Sequence, residues 1–396
     1  MKLLFVHSHI FKYDKENNFF SSGQFPYKVL KERYLNFFDE LIVASRGEKS
    51  NANGQLNLSS GSNVTHYILP NLSSVKNRHK KIEKLKLDLE TLIKESDVIV
   101  ARMPSGHAYH AIKICRRLKK PYVVEVVGDV FASLWTHGSI PGKILAPINY
   151  IKYRKVIKKS PNIIYVTQNY LQEKYPHKSS ANTTNVSNVD ISFVPEVILE
   201  SKIDRINNVD INKEVNIGLI GSYSSKYKGI DTAIKSIKTL NDQGFNCKLV
   251  VLGEGNNEWL KDLSKKLRIK EKVIFPGSLP GGERVFRWLD TMDLYIQPSL
   301  TEGLPRALIE AMSRGLPCVA SSVGGIPELL DQSFIHKPKS DKELGEKIEY
   351  LLRNKDIMIE QANKNFTNAK SYTSEVLNAR RKEFWKNFIN KELTKK

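Results

Sequence analysis

Two glutamates, Glu302 and Glu310, stand in the run QPSLTEGLPRALIEAM between Gln297 and Met312. Leu294–Gln297 reads as a buried strand and the polar residues after it as a turn. Pro305 suits the first position of a helix, where its missing N–H is no loss. Glu302 then falls in the loop before the helix and Glu310 more than a turn inside it, so the carboxylates bracket the helix N-terminus over roughly 10 Å. Free amides and the positive dipole end favour a phosphate there, and Gly303 lets the backbone come close. A carboxylate on either side of a diphosphate suits a nucleotide sugar, one accepting from sugar hydroxyls and the other from ribose hydroxyls. The spacing alone also fits a helix-capping Glu302 and a surface ion pair at Glu310.

A chain of 396 residues is too long for one core and suits two domains. Short apolar runs at Leu3–Val6, Leu41–Val43, Val98–Val100, Tyr122–Val127 and Ile163–Val166 alternate with helical stretches at Lys28–Phe38, Lys80–Lys94 and His107–Lys119. The second half repeats the scheme, with strands expected at Val215–Ile220, Lys248–Leu252, Val273–Phe275, Leu294–Gln297 and Pro317–Ala320. Helical patterns lie between them at Gly229–Leu240, Glu258–Lys266, Pro305–Arg314 and Lys342–Leu352. Such alternation implies parallel strands with crossover helices, an α/β class. The polar stretch Ile203–Lys213 reads as a linker. The expected organisation is one domain over 1–203, a linker over 204–213, a second domain over 214–370 and a tail helix over 371–396. Tyr372, Val376, Phe384, Trp385, Phe388 and Ile389 give that tail an apolar stripe, expected to pack back toward the N-terminal domain. Ligands of doubly wound sheets lie outside the carboxyl ends of the strands, so two such domains face a common cleft.

Composition excludes a disordered or fibrous chain, with 40% hydrophobic and 26% charged residues. The net charge of +20 predicts an anionic partner. It leans to the first half, with +12 in residues 1–200 against +8 in 201–396. Nucleic acid fits poorly, because no RNP aromatic strip, zinc-finger spacing or basic tail is present. A dinucleotide oxidoreductase fits no better: Gly253-Glu254-Gly255 is too short for the Gly-x-Gly-x-x-Gly fingerprint. Cys115, Cys247 and Cys318 are widely spaced and encode neither a disulfide framework nor a zinc site. No apolar window is long enough to span a bilayer, and the short run after Met1 reads as a first strand rather than a leader. The expected location is the cytoplasm, with contact to the inner face of the membrane.

The segment TEGLPRALIEAMSRGLPCVASSVGGIPELL, from Thr301 to Leu330, resembles the signature of retaining glycosyltransferases of family 4. The order of LIGSYSSKYKGIDTAIKSIK, VVLGEG, KVIFPGSLP and DLYIQPSLTEGLPRALIEAM agrees with it across the whole C-terminal half. The resemblance implies a GT-B fold of two facing Rossmann-like domains. It assigns Glu302 to the donor sugar, Glu310 to the ribose and Lys228 to the diphosphate, within a donor site that includes Gly221, Gly303, Leu304 and Pro305. The arginine that often follows the first glycine is replaced by Ser222, leaving Lys226 or Arg306 as the second cation. No Asp-x-Asp clamp occurs, since Asp88-Leu89-Glu90 and Asp341-Lys342-Glu343 fall in helical segments. A metal-independent enzyme without a cofactor is therefore expected, with Glu302 and Lys228 as its catalytic pair.

The first half resembles enzymes of capsule and O-antigen synthesis, which implies a lipid-linked glycan acceptor. Many family 4 enzymes carry a His-Gly pair after the strand corresponding to Tyr122–Val127; here Val127-Gly128-Asp129 stands there and the histidine is missing. Asp129 could bond a substrate hydroxyl or cap the turn, and His137 could enter the cleft. Arg102 could hold an acceptor phosphate or a structural ion pair, and Ser22-Gly23-Gln24 suits a loop near the acceptor. Lys143–Lys159 mixes Ile144, Leu145, Ile148, Ile151 and Val156 with Lys152, Arg154, Lys155, Lys158 and Lys159. It reads either as a core-packed helix with a solvated basic face or as a basic face resting on anionic lipid.

Overall fold

The strands Val98–Met103, Val215–Ile220 and Leu294–Gln297 are apolar almost throughout, as strands covered on both faces must be. The computed structural model describes residues 1–21, 25–50, 56–72, 77–136, 139–210 and 213–394. In chain order the strands are β1 (Lys2–Tyr13), β2 (Phe19–Ser21), β3 (Glu40–Lys49), β4 (Asn57–Leu58), β5 (Val64–Ile68), β6 (Val98–Met103), β7 (Tyr122–Val126), β8 (Asn162–Tyr165) and β9 (Asn182–Asn185). Then follow β10 (Val215–Ile220), β11 (Cys247–Leu252), β12 (Val273–Gly277), β13 (Leu294–Gln297), β14 (Cys318–Ser321) and β15 (Ile335–His336). The chain divides into two compact units. The first comprises Met1–Val130, Pro147–Val186 and Asn378–Lys396, the second Phe131–Ala146 and Ser187–Leu377.

In the first unit β1 pairs in parallel with β3 on one side and β6 on the other, and β7, β8 and β9 follow β6. Short β2 and β4 join antiparallel at the far end of β1. The β1–β3 register slips between Val6 and Ile10, so His7, Ser8 and His9 form a bulge. The expected helix at Lys28–Phe38 is a turn of α-helix over Tyr27–Leu30, widened to a π-turn over Lys31–Leu35 by the bond from the Asn36 amide to the Lys31 carbonyl. That widening turns both Arg33 and Tyr34 inward. In the last helix, Ser374–Glu392, Trp385 is buried with its ring edge-on to Phe38 at 5.1 Å.

The second unit has six parallel strands in the order β12-β11-β10-β13-β14-β15. The helix Ile230–Asp242 covers the sheet with Ile230, Ile234, Ile237 and Leu240, which meet Ile217, Leu219, Leu249 and Val251.

Two expectations need correction. The polar stretch taken as a linker is helical as far as Asn207, within a helix over Glu196–Asn207. Its inner face carries Leu199, Ile206 and a buried lysine, Lys202, whose ammonium is bonded to the carbonyls of Asp290 and Met292. The helix Ile140–Lys158 does not bury the isoleucines expected in its core. Ile144, Ile148 and Ile151 are 62%, 56% and 53% exposed, because Ala146, Tyr153, Val156 and Ile157 form the inward face.

Candidate functional site

Strand order fixes where the second unit offers a site. Along the chain the sheet grows outward from β10 to β11 and β12, then returns to add β13 on the other side of β10. The loops leaving β10 and β13 therefore diverge at a topological switch point, where open α/β sheets bind ligands. Gly221 follows β10, and Pro298–Pro305 follows β13.

These loops are locked together before any ligand arrives. The Leu300 amide donates to the Tyr227 carbonyl at 2.7 Å. Gly229 has a φ of 68°, and a Cβ there would lie 2.0 Å from the Pro298 carbonyl oxygen, so only glycine allows the approach. Lys228, held between these contacts, donates to Glu302 Oε1 at 2.7 Å. The same oxygen accepts from Ser299 Oγ at 2.8 Å and Gln297 Nε2 at 3.2 Å. Tyr295 supports the network from below by donating to Gln297 Oε1 at 2.7 Å. All three donors converge on Oε1, and no hydrogen bond among the described residues reaches Oε2. Burial works against the Lys228 ammonium, but the charge and hydrogen bond of Glu302 outweigh it and raise its pKa.

The helix expected to begin at Pro305 runs from Arg306 to Ser313, with Pro305 in extended conformation as its cap residue. The shift of one position follows from the ψ of 113°, which takes Pro305 out of the helical range. Pro305 offers the first turn no side-chain cap, which leaves the positive dipole end of the helix to favour an anion. The Gly303 carbonyl accepts from the Gly325 amide at 2.7 Å, tying the loop to the GGIPEL turn. Leu304 is buried beneath it. Burial raises the Glu310 carboxyl pKa, opposed by the Arg306 charge and reinforced by Asp190. The Arg306 charge also works against the Lys228 ammonium. Lys226 turns elsewhere, its ammonium 5.7 Å from the centre of the Trp259 ring, and Ser222 donates to the Glu254 carbonyl.

Residues 202–371 match the family described as glycosyl transferases group 1. Protein CapJ of Staphylococcus aureus is 35% identical over 394 residues, 98% of this chain and 96% of that protein. The chain belongs to the glycosyl transferases group 1 family. The putative colanic acid biosynthesis glycosyltransferase WcaL of Escherichia coli K12 is 37% identical over 123 residues, 29% of this chain and 30% of that protein. Among solved structures, HepE of Anabaena in complex with UDP-glucose superposes with a TM-score of 0.67 at 16% identity, covering 98% of this chain and 100% of that one. The expected α/β class of the GT-B kind is borne out.

In the first unit of this glycosyltransferase the expected site residues fare differently. Arg102 is not open to an acceptor phosphate: it is buried and donates to Glu125 Oε2 at 2.8 Å, while Tyr34 donates to Oε1 at 2.7 Å. The π-turn carrying Tyr34 had no visible signal in the sequence. Asp129 is also buried, its two oxygens accepting from Tyr175 at 2.7 Å and Tyr170 at 3.1 Å. It braces the loop after β7 rather than meeting a substrate hydroxyl. Gly23 and His137 lie outside the described residues. Sequence reasoning missed Gln297 and Ser299, whose types at a strand end signal only a turn. Among the described residues no group of three or more His, Cys, Asp or Glu could hold a metal ion.

Proposed function

We propose that this glycosyltransferase moves a hexosyl or N-acetylhexosaminyl group from a UDP-sugar to a lipid-diphosphate-linked glycan in the synthesis of a surface polysaccharide, with retention at the anomeric carbon. The observation that carries this reading is the Lys228–Glu302 pair at the switch point beside an uncapped helix N-terminus. Lys228 and the first-turn amides take the charge that develops on the departing diphosphate, as preorganised electrostatics. Arg306 supplies the second cation. Glu302, held through Oε1, offers Oε2 to the sugar hydroxyls, and Glu310 accepts from the ribose. As the bond from the anomeric carbon to the phosphate oxygen breaks, that oxygen takes the acceptor hydroxyl's proton on the same face, and the acceptor oxygen bonds to the carbon. The complexes of HepE with UDP and UDP-glucose support the choice of donor. The name of the colanic acid relative supports the polysaccharide.

A thermal-shift comparison of UDP-hexoses, UDP-N-acetylhexosamines, GDP-sugars and NAD tests the donor, because a ligand of the native state stabilises it by mass action. UDP-sugars are expected to raise the midpoint. Stabilisation by NAD alone, or by none of them, would remove the reading.

A further inference from the structure

In the first unit a cavity of about 300 Å³ opens where the bulge of β1 at Ser8 and the second half of β3 at Arg46 meet the start of the helix Gly106–Leu118. That place is the switch point of this sheet, since β1 is flanked by β3 and by β6, which feeds the helix. The β1 bulge exposes the Ser8 carbonyl, which accepts from Arg46 Nε at 2.6 Å and holds that guanidinium at the cavity wall. Arg78 and Lys152 complete a cationic lining with His107, Tyr109 and Tyr153, and among the described residues no aspartate or glutamate lines the cavity. Lys152 Nζ lies 4.1 Å from the centre of the Tyr109 ring, and neither Lys152 nor Arg78 has an ion-pair partner among the described residues. The unpaired charges of Arg78 and Lys152, brought together on this wall, create a field that an anion relieves.

The helix that supplies Lys152 has a second property. Ile148 is one turn before Lys152 and Ile151 is its neighbour, and both are more than half exposed. Lys155 and Lys158 extend the same outer face with positive charge. A cationic cavity bordered by exposed hydrocarbon matches an anion that carries its own apolar chain.

We propose that the Arg46–Arg78–Lys152 cavity binds the diphosphate of an amphiphilic lipid diphosphate, whose hydrocarbon leaves across Ile148 and Ile151. This rests on the lipid-linked acceptor proposed above and gives it a place that Arg102, closed in its ion pair, cannot provide.

The test is calorimetric titration of the full chain, saturated with UDP, using farnesyl diphosphate, inorganic pyrophosphate and farnesol as probes. Farnesyl diphosphate is expected to bind more tightly than either fragment. The double variant R78A/K152A should weaken farnesyl diphosphate and pyrophosphate by about tenfold or more, through loss of charge-assisted bonds. I148D/I151D, changed only at exposed positions, should weaken farnesyl diphosphate and leave pyrophosphate untouched. UDP affinity should be the same in all three proteins. Equal farnesyl diphosphate binding in every variant, or binding seen only when UDP is left out, would overturn the proposal. So would sedimentation showing a dimer that I148D/I151D dissolves, which would make the isoleucine face a subunit contact. If UDP binds and farnesyl diphosphate does not, this inference fails while the donor site stands. If UDP itself does not bind, the donor reading fails.

Discussion

The backbone at Gly221 is the floor on which the stem of Lys228 rests: a Cβ at position 221 would lie 2.9 Å from Lys228 Cγ and 3.1 Å from its Cβ. The first glycine after β10 thus sets the height at which the ammonium meets Glu302. In Gly221→Ala the stem must move, and with it the cation. Because small misplacements of catalytic groups are costly, kcat/KM is expected to fall roughly ten- to a hundredfold. Circular dichroism should show the fold retained; unchanged kinetics would mean that Lys228 is not needed where it lies.

Glu302 and Lys228 are expected to differ in how they fail. Glu302→Ala removes the acceptor for three donors, and turnover should be nearly lost while UDP still binds. Lys228→Met leaves a largely buried carboxylate short of its cation, at a cost of about 1–3 kcal/mol in unfolding free energy. It should also weaken UDP. Parallel denaturation and UDP titration separate the two, and equal UDP affinity in both variants would contradict the assigned roles.

Glu310 predicts a pH dependence. Burial raises its carboxyl above the ordinary 4.5, so the native protein holds this proton more tightly than the unfolded chain. Its contribution to stability is therefore most favourable at low pH and is lost as pH rises through the window from the ordinary value to the raised one. Ribose hydroxyls need the ionised form as acceptor, so UDP affinity should rise over the same window. Glu310→Gln should flatten both profiles and raise the donor KM; a profile identical to the parent's would place the titration elsewhere.

Arg102 serves as a control within the first unit. Breaking its buried pair with Glu125 through Arg102→Met should cost about 3–5 kcal/mol in chemical denaturation. At temperatures where the variant remains folded, UDP affinity should be normal. Loss of UDP binding in the folded variant would give Arg102 a role in donor recognition that its burial argues against.

Charge on the leaving group is assigned to Lys228, Arg306 and helix amides, so turnover should persist in EDTA. Activity abolished by EDTA and restored by a divalent cation would reassign that task.

The strands carrying the candidate site were legible to the residue, because Val215–Ile220 and Leu294–Gln297 are short apolar runs. The glutamate pair was legible as spacing. What holds Glu302 was not: Gln297 and Ser299 look like the start of a loop until the parallel strands bring Lys228 beside them. The helix Glu196–Asn207 escaped because one of its inward residues is a lysine satisfied by carbonyls some ninety positions away. The isoleucines of Ile140–Lys158 misled for the opposite reason. Apolar spacing says that a helix has a greasy face, and only the tertiary structure says whether the protein covers it.

The chain changes unit between residues 130 and 131, 146 and 147, 186 and 187, and 377 and 378. Neither unit is thus a contiguous cassette. A chimera that exchanges everything after the linker position for a relative's sequence would also replace the helix that places Trp385 against Phe38, and would inherit a foreign plug for the first unit's core. Recombination between members of this lineage is therefore expected to succeed when the terminal helix travels with the N-terminal sequence. Donor preference would then evolve more readily by point substitution around the switch point than by wholesale exchange of halves.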